Sequence, residues 1–288
     1  MYTQIELIKR YRLQVKGHQG QHLLVDPNIQ KKIVELMEPA RGEEIIEIGP
    51  GLGALTYWLL EAGCRVAVVE KDEQFVSILR QELVPLFPDQ LTIVHGDILK
   101  WNVDQIAREA NLKQKQFKLI GNIPYYITAP ILFHILDNKT QLTKAVLTIQ
   151  REVSKRIFAA PATKDYSRLT LAVRFSAEAK HAFDISRNCF TPKPEVDSST
   201  LTLSFSGGDA PDPSEAEAFF YLTRTAFAQR RKTLLHLFLQ DKQLKKAGRE
   251  QWLKWLKELG VQEKARGEEL LLKDYLFLAR EVRQHNLM

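Results

Sequence analysis

Cysteine is almost missing from this chain: Cys64 and Cys189 stand alone among 288 residues. Two isolated thiols build neither a disulfide framework nor a cysteine-rich metal cluster. No apolar run reaches the roughly 20 residues that span a bilayer, because charged residues interrupt every long segment. The opening MYTQIELIKRYRLQVKG lacks the continuous apolar core of a secretory signal, and Glu6 with the scarcity of serine argues against a mitochondrial leader. Internal repeats and low-complexity tracts are absent as well. With 44% hydrophobic and 26% charged residues, the chain has the composition of a globular enzyme expected in the cytoplasm. Its length suits one large domain and one smaller one.

A surplus of acid is also lacking at both ends. Residues 1–32 hold 6 basic against 2 acidic residues (+4), 33–212 hold 20 against 23 (−3), and 213–288 hold 15 against 10 (+5). Basic flanks around a near-neutral body suit a polyanionic partner. Lys and Arg that merely solvate terminal helices satisfy the same count.

From residue 43 short apolar runs alternate with helical patterns. EEIIEIG, RVAVVEKD, LTIVHGD, FKLIGN and KAVLTIQ read as strands; ALTYWLLEAG, EQFVSILRQELV and APILFHILD read as helices. That order predicts a mostly parallel sheet covered on both faces, with right-handed crossovers. REVSKRIFA and SRLTLAVRFSAEA read as amphipathic helices, followed by strands HAFDIS and STLTLSF. SGGDAPDPS has linker composition. Everything beyond it reads as helical, including EAEAFFYLTRTAFAQRRKTLLHLF as one continuous pattern. The expected organisation is a catalytic domain over 1–206 with a basic N-terminal arm, a linker over 207–212, and a helical domain over 213–288.

In EIGPGLGAL, Gly49, Gly51 and Gly53 form a G-x-G-x-G turn after the first strand, where a ligand approaches the backbone. Glu70 ends the second strand, placed to accept both ribose hydroxyls of an adenosine. Asp97 ends the third, and with the Ile98 backbone it faces an adenine amino edge. Either acid alone could simply cap a helix. The turn is shorter than the G-x-G-x-x-G that seats a dinucleotide pyrophosphate. It looks like the S-adenosylmethionine turn of Rossmann-like methyltransferases, with Glu47 beside the methionine end.

The fourth strand should end beside the methyl group, and there the chain places Asn122, Ile123, Pro124, Tyr125 and Tyr126. An exocyclic adenine amine is a weak nucleophile because its lone pair is delocalised into the ring. The Asn122 side-chain oxygen and the Ile123 carbonyl supply two acceptors that would turn that lone pair toward the methyl. Pro124 holds Ile123 extended, and Tyr125 offers a flat face to the base. Neither a metal nor a strong base is required.

GQHLLVD, EIGPGLGALT, GNIPYYITAPILFHIL, QREVSKRI, FTPKPEVDSSTLTL and AFAQRRKTL, in that order across nearly the whole chain, resemble the ribosomal RNA adenine-N6 dimethyltransferases of the small-subunit, KsgA type. The resemblance implies a Rossmann-like α/β methyltransferase domain with a small helical domain. It implies S-adenosylmethionine as cofactor, and two adjacent adenosines near the 3′ end of small-subunit RNA, each dimethylated in an assembling particle. It adds His22 and Leu24 to the cofactor residues Gly49, Gly51, Glu70, Asp97, Ile98 and Asn122. It also sets Phe190 against the flipped base opposite Tyr125. His22 stands where the family carries Asn, and Gln19 where it carries Leu or an aromatic residue. Three rivals share parts of this pattern: large-subunit erythromycin-resistance methyltransferases, non-catalytic transcription-factor relatives, and DNA amino-methyltransferases. FTPKPEVDS and QRRKTL favour the small-subunit type, the intact site residues favour catalysis, and 213–288 is small for a sequence-reading DNA domain. RNA contacts are expected from Arg230, Arg231 and Lys232, which read as helical, and from Lys9, Arg10, Arg12 and Lys16. Arg151, Lys155, Arg156 and Arg168 form a second set. A monomer is expected.

Overall fold

The computed structural model describes residues 2–15, 17, 20–205 and 213–288. The expected linker at 207–212, Lys16 and Gln19 lie outside the described residues. Two compact units divide the chain: Met1–Ser154 with Ala177–Ser206, and Lys155–Ser176 with Gly207–Met288.

In chain order the first unit carries α1 (Gln4–Arg10), β1 (Leu23–Leu24), α2 (Pro27–Glu35), β2 (Glu44–Ile48), α3 (Thr56–Glu61), β3 (Arg65–Glu70), α4 (Glu73–Glu82), β4 (Leu91–His95), α5 (Val103–Glu109), β5 (Phe117–Asn122), α6 (Thr128–Asp137) and β6 (Leu142–Gln150). The division between units falls within α7 (Arg151–Ile157); α8 (Arg168–Ser176) belongs to the second unit, and the chain returns for β7 (Glu178–Ile185), β8 (Phe190–Thr191) and β9 (Ser198–Ser204). Seven strands form one sheet in the order β4-β3-β2-β5-β6-β9-β7. The first five run parallel, and β9 is antiparallel to both β6 and β7. Every residue of β2 is buried, as a central strand covered on both faces requires. From β2 the chain builds outward through β3 to β4, then returns to lay β5 on the other side of β2. The order therefore reverses between β2 and β5, where doubly wound sheets open a crevice at their carboxyl edge.

Local chemistry explains the helix starts. Asp26 accepts N–H bonds from Asn28 and Ile29 with Pro27 in the first turn of α2, and Asp72 caps α4 through the Gln74 N–H. The amino-terminal arm is anchored. Leu7 and Leu13 bury against Leu23, Leu52, Phe75 and Ile78, and the Gln4 side chain donates to the Leu52 carbonyl at 3.3 Å.

The second unit adds α9 (Pro213–Ala226), α10 (Leu234–Gln240), α11 (Gly248–Glu258) and α12 (Leu272–Gln284). Phe219, Phe238, Trp252, Trp255 and Tyr275 form its core. Three expectations change here. Residues 155–176, read with the catalytic domain, pack with these helices instead, because Tyr166 and Leu171 bury in their core and the Tyr166 hydroxyl donates to the Leu270 carbonyl at 3.0 Å. SRLTLAVRFSAEA ends as a helix at Ser176, and its last residues open β7, paired along β9. The continuous helical pattern over 215–238 breaks after Ala226, and Thr233 caps a new helix through the His236 N–H. No described helix is long and apolar enough to cross a membrane.

Candidate active site

At the carboxyl edge of β2, β3, β4 and β5 lies a cavity of about 390 Å³. The crevice brings together all eight residues expected to hold the cofactor: His22, Leu24, Gly49, Gly51, Glu70, Asp97, Ile98 and Asn122. Ile123, Pro124 and Tyr125 line it too. Gly51 carries a φ of +56°, and a Cβ there would sit 2.7 Å from the Leu23 side chain. Only glycine lets the turn lie this close beneath the arm.

Glu70 is 8% exposed. Its Oε1 accepts the Lys71 and Asp72 N–H groups, both at 2.8 Å, and Oε2 accepts the Gly51 N–H at 3.2 Å. Burial raises its pKa against the pull of those three donors. Glu70 thus ties the β3 end to the glycine turn, and two carboxylate oxygens retain acceptor capacity beyond three bonds. Asp97 caps the short turn after it through the Leu99 N–H at 3.1 Å, and it pairs with the Lys71 ammonium at 2.9 Å. The Lys71 hydrogen bond holds its carboxyl below the ordinary range. Capping and cavity lining coincide in this residue. Glu47 is 1% exposed and accepts the Thr56 hydroxyl at 2.6 Å; burial pushes its pKa up to about 8.

The β5 end forms the other wall. The Asn122 amide N–H donates to the His22 carbonyl at 3.0 Å, which leaves its oxygen as the free acceptor of that side chain. The Ile123 N–H continues the ladder to the Thr148 carbonyl at 2.9 Å, and among the described residues the Ile123 carbonyl accepts no hydrogen bond. Both acceptors expected at the target amine are therefore uncommitted. Tyr125 is half-buried in a 3-10 turn, its hydroxyl 2.5 Å from the Ser198 hydroxyl, and burial raises its pKa. His22 Nδ1 donates to the Pro192 carbonyl at 2.7 Å, and its ring centroid lies 5.2 Å from that of Tyr125. A second recess of about 550 Å³ opens beside this turn, shared by His22, Tyr125, Tyr126, Gln150 and the 192–196 segment.

Several expected residues stand elsewhere. Phe190 lines neither recess: it is 2% exposed and packs in the core below the sheet edge. The cause is β8, whose antiparallel pairing with β1 sets Phe190 opposite Leu24 and turns its ring inward. Arg230, Arg231 and Lys232 are exposed in the turn after α9 rather than on a helix. Arg230 pairs with Glu268 at 2.5 Å and donates to the Thr163 carbonyl. Arg151 is paired with Asp184 and Asp197, at 3.3 and 3.7 Å. Arg10 lies 3.5 Å from Glu82 and stacks over Tyr2. Lys9, Arg12 and Lys155 are exposed, and Arg156 and Arg168 half-buried. Sequence reasoning missed Gln21, Lys71, Asp72 and Phe75 in the cavity lining. The E-K-D run after β3 was the available signal. It also missed the exposed Lys242, Lys245, Lys246, Lys254 and Lys257 around α11.

Among the described residues four acids (Glu47, Glu70, Asp72 and Asp97) line the cavity against one lysine, Lys71. The acceptors at Glu70 and Asp97 suit the hydroxyls and amine of an adenosine, and the one lysine, already paired with Asp97, offers little to a pyrophosphate.

A family model described as ribosomal RNA adenine dimethylase matches residues 12–284. A relative from Anoxybacillus flavithermus named ribosomal RNA small subunit methyltransferase A is 34% identical over 277 residues, covering 96% of this chain and 93% of its own. One of the same name from Bacillus cytotoxicus is 34% identical over 289 residues, covering 98% and 96%. A crystal structure of a dimethyladenosine transferase from Plasmodium falciparum shares the fold with a TM-score of 0.76 at 24% identity, covering 92% of this chain and 98% of its own. The 23S rRNA methyltransferase ErmE superimposes with a TM-score of 0.66 at 23% identity, over 91% and 100%.

Proposed function

The chain belongs to the ribosomal RNA adenine dimethylase family, and from that premise we propose that it transfers methyl groups from S-adenosylmethionine to N6 of two adjacent adenosines near the 3′ end of small-subunit ribosomal RNA, dimethylating each in an assembling particle. One observation carries this reading. The Asn122 oxygen and the Ile123 carbonyl, both without a donor among the described residues, stand at the rim of an acid-lined cavity beside a half-buried tyrosine. The relatives at 34% identity bear the small-subunit name, which favours that substrate over large-subunit RNA. The cytoplasm follows as the place of action, and the protein works as a monomer.

Bound S-adenosylmethionine supplies an electrophilic methyl group on a positively charged sulfur. The Glu70 carboxylate, fixed by three backbone donors, would hold the ribose hydroxyls, and Asp97 with the Ile98 backbone the adenine edge. Gly49 and Gly51 give backbone access, with Leu24 and His22 closing the arm side. Asn122 and Ile123 would accept the two N–H groups of the target amine, which orients the lone pair and stabilises positive charge growing on nitrogen. Tyr125 would stack its face on the base, with its hydroxyl tied to Ser198. Phe190 packs in the core opposite Leu24 across the β1–β8 pair. For the RNA backbone, Lys9, Arg12, Arg231, Lys232 and the lysines of 242–257 are exposed cations of the right kind.

The test is methylation of small and large subunits from undermethylated cells, with the modified bases mapped. Modification confined to two adjacent adenines of the small-subunit RNA is the expected result. Transfer to large subunits alone, or to neither, overturns the reading.

A further inference from the structure

Two tyrosines in succession follow Pro124, and they part company. Tyr125 turns inward, half-buried, with its hydroxyl against Ser198. Tyr126 is 64% exposed, the most exposed of the large apolar side chains among the described residues. Its hydroxyl makes no hydrogen bond among the described residues. The ring borders both the cofactor cavity and the second recess. One edge is braced by the arm: a Cβ on Gly20 would come within 2.7 Å of the Tyr126 ring, and Gly20 holds a φ of +72°. A large, mostly exposed ring that meets the arm on one side, at the mouth of the catalytic turn, can receive another flat group.

We propose that Tyr126 is a second base platform, which stacks on the nucleotide next to the adenosine held at Asn122. This rests on the proposed function, and it deepens it by naming a residue that holds the neighbour of the target. The two tyrosines then divide the work. Tyr125 faces the reacting base, and Tyr126 holds the adjoining base out of its stack. Stacking accepts any ring face and needs no hydroxyl, which fits a Tyr126 hydroxyl with no hydrogen-bond partner among the described residues. Because the two targets are adjacent, one of them is the neighbour that Tyr126 meets while the other is held at Asn122.

The experiment measures kcat and KM on undermethylated small subunits for wild type, Tyr126→Phe, Tyr126→Trp, Tyr126→Leu and Tyr126→Ala. A base–aromatic stack corresponds to a loss of roughly five-fold to a hundred-fold when the ring is removed. Phe and Trp should keep near wild-type kcat/KM. Leu and Ala should lose it within that range, chiefly through KM. Thermal midpoints should stay together, since the side chain is exposed. In Tyr126→Trp the added indole emission should be quenched when subunits bind. Leu performing as well as Phe, Phe failing as badly as Ala, or an indole whose emission is unchanged on binding overturns the platform. Failure of wild type to methylate subunits at all is a different result: it overturns the functional reading and this inference with it.

Discussion

Glu70 engages three backbone N–H groups, from Gly51, Lys71 and Asp72, before any ligand arrives. Glu70→Ala strips those donors as well as the ribose contact, and each buried donor left unsatisfied costs about 1–3 kcal/mol. The expected outcome is a lower thermal midpoint together with a loss of cofactor affinity in calorimetric titration. Asn122→Ala should lose less affinity than Glu70→Ala and abolish transfer. Unchanged affinity in Glu70→Ala would refute the ribose assignment. Glu47 yields a pH signature. Its folded pKa, raised from 4.5 to about 8 by burial, means that the native state retains a proton which the unfolded chain releases. The stability this contributes is full below about pH 4.5 and is lost as pH rises toward 8. Glu47→Gln should flatten that part of the thermal midpoint profile. A profile parallel to wild type between pH 5 and 8 would show that Glu47 does not titrate there.

The arm and the glycine turn act as one assembly. Leu23 of β1 presses on Gly51, and β1 is itself held by pairing with β8. Gly51→Ala therefore meets two penalties: a φ of +56° that costs a side chain about 1–2 kcal/mol, and an approach of 2.7 Å to Leu23. Adding Leu23→Ala should relieve the clash and leave the dihedral cost. Partial recovery of the thermal midpoint and of cofactor affinity in the double variant is expected. Full recovery would mean the turn carries no backbone strain, and none would mean the arm is not what fills the space. At the end of β5, Tyr125→Phe and Ser198→Ala remove the same hydrogen bond, at 2.5 Å, between the catalytic turn and β9. Each should lower stability by about 1 kcal/mol and keep most transfer activity. The double variant should cost little more than either alone, as expected for one shared hydrogen bond.

Over the whole molecule the positive charge is distributed so that only part of it is free to meet phosphate. Arg10, Arg151 and Arg230 are engaged with acids, while Arg231, Lys232 and the lysines of 242–257 stand exposed. In a salt series of particle binding, Arg231→Ala and Lys232→Ala should each flatten the slope by roughly 0.7 for every phosphate left without its cation. Arg230→Ala should instead lower the thermal midpoint, because it leaves Glu268 and the Thr163 carbonyl without their partner. Cofactor affinity should stay constant in all three. Equal slopes throughout would mean these cations only solvate the surface.

The alternation of strands and helices, the glycine turn, the acids at the strand ends and the Asn122–Tyr125 turn were all readable along the chain. Each rests on local physics: short apolar runs buried on both faces, backbone conformations open only to glycine, and polar residues at strand ends. The eight cofactor residues converge because a parallel sheet gathers successive strand ends on one edge. Pairings far apart in sequence decided the rest. The family resemblance sets Phe190 against the base, whereas β1, far earlier in the chain, pairs with β8 and places it in the core, as its apolar character alone suggests. Residues 155–176 look like any amphipathic pair after a sheet, yet their apolar faces match helices much later in the chain. Helical period alone runs unbroken through 227–233, yet α9 ends at Ala226 and the Thr233 cap restarts the chain as α10. Arginines look alike in a sequence. Which of them face solvent depends on carboxylates that the fold brings within a few ångströms, and charge counted along the chain carries no such distance.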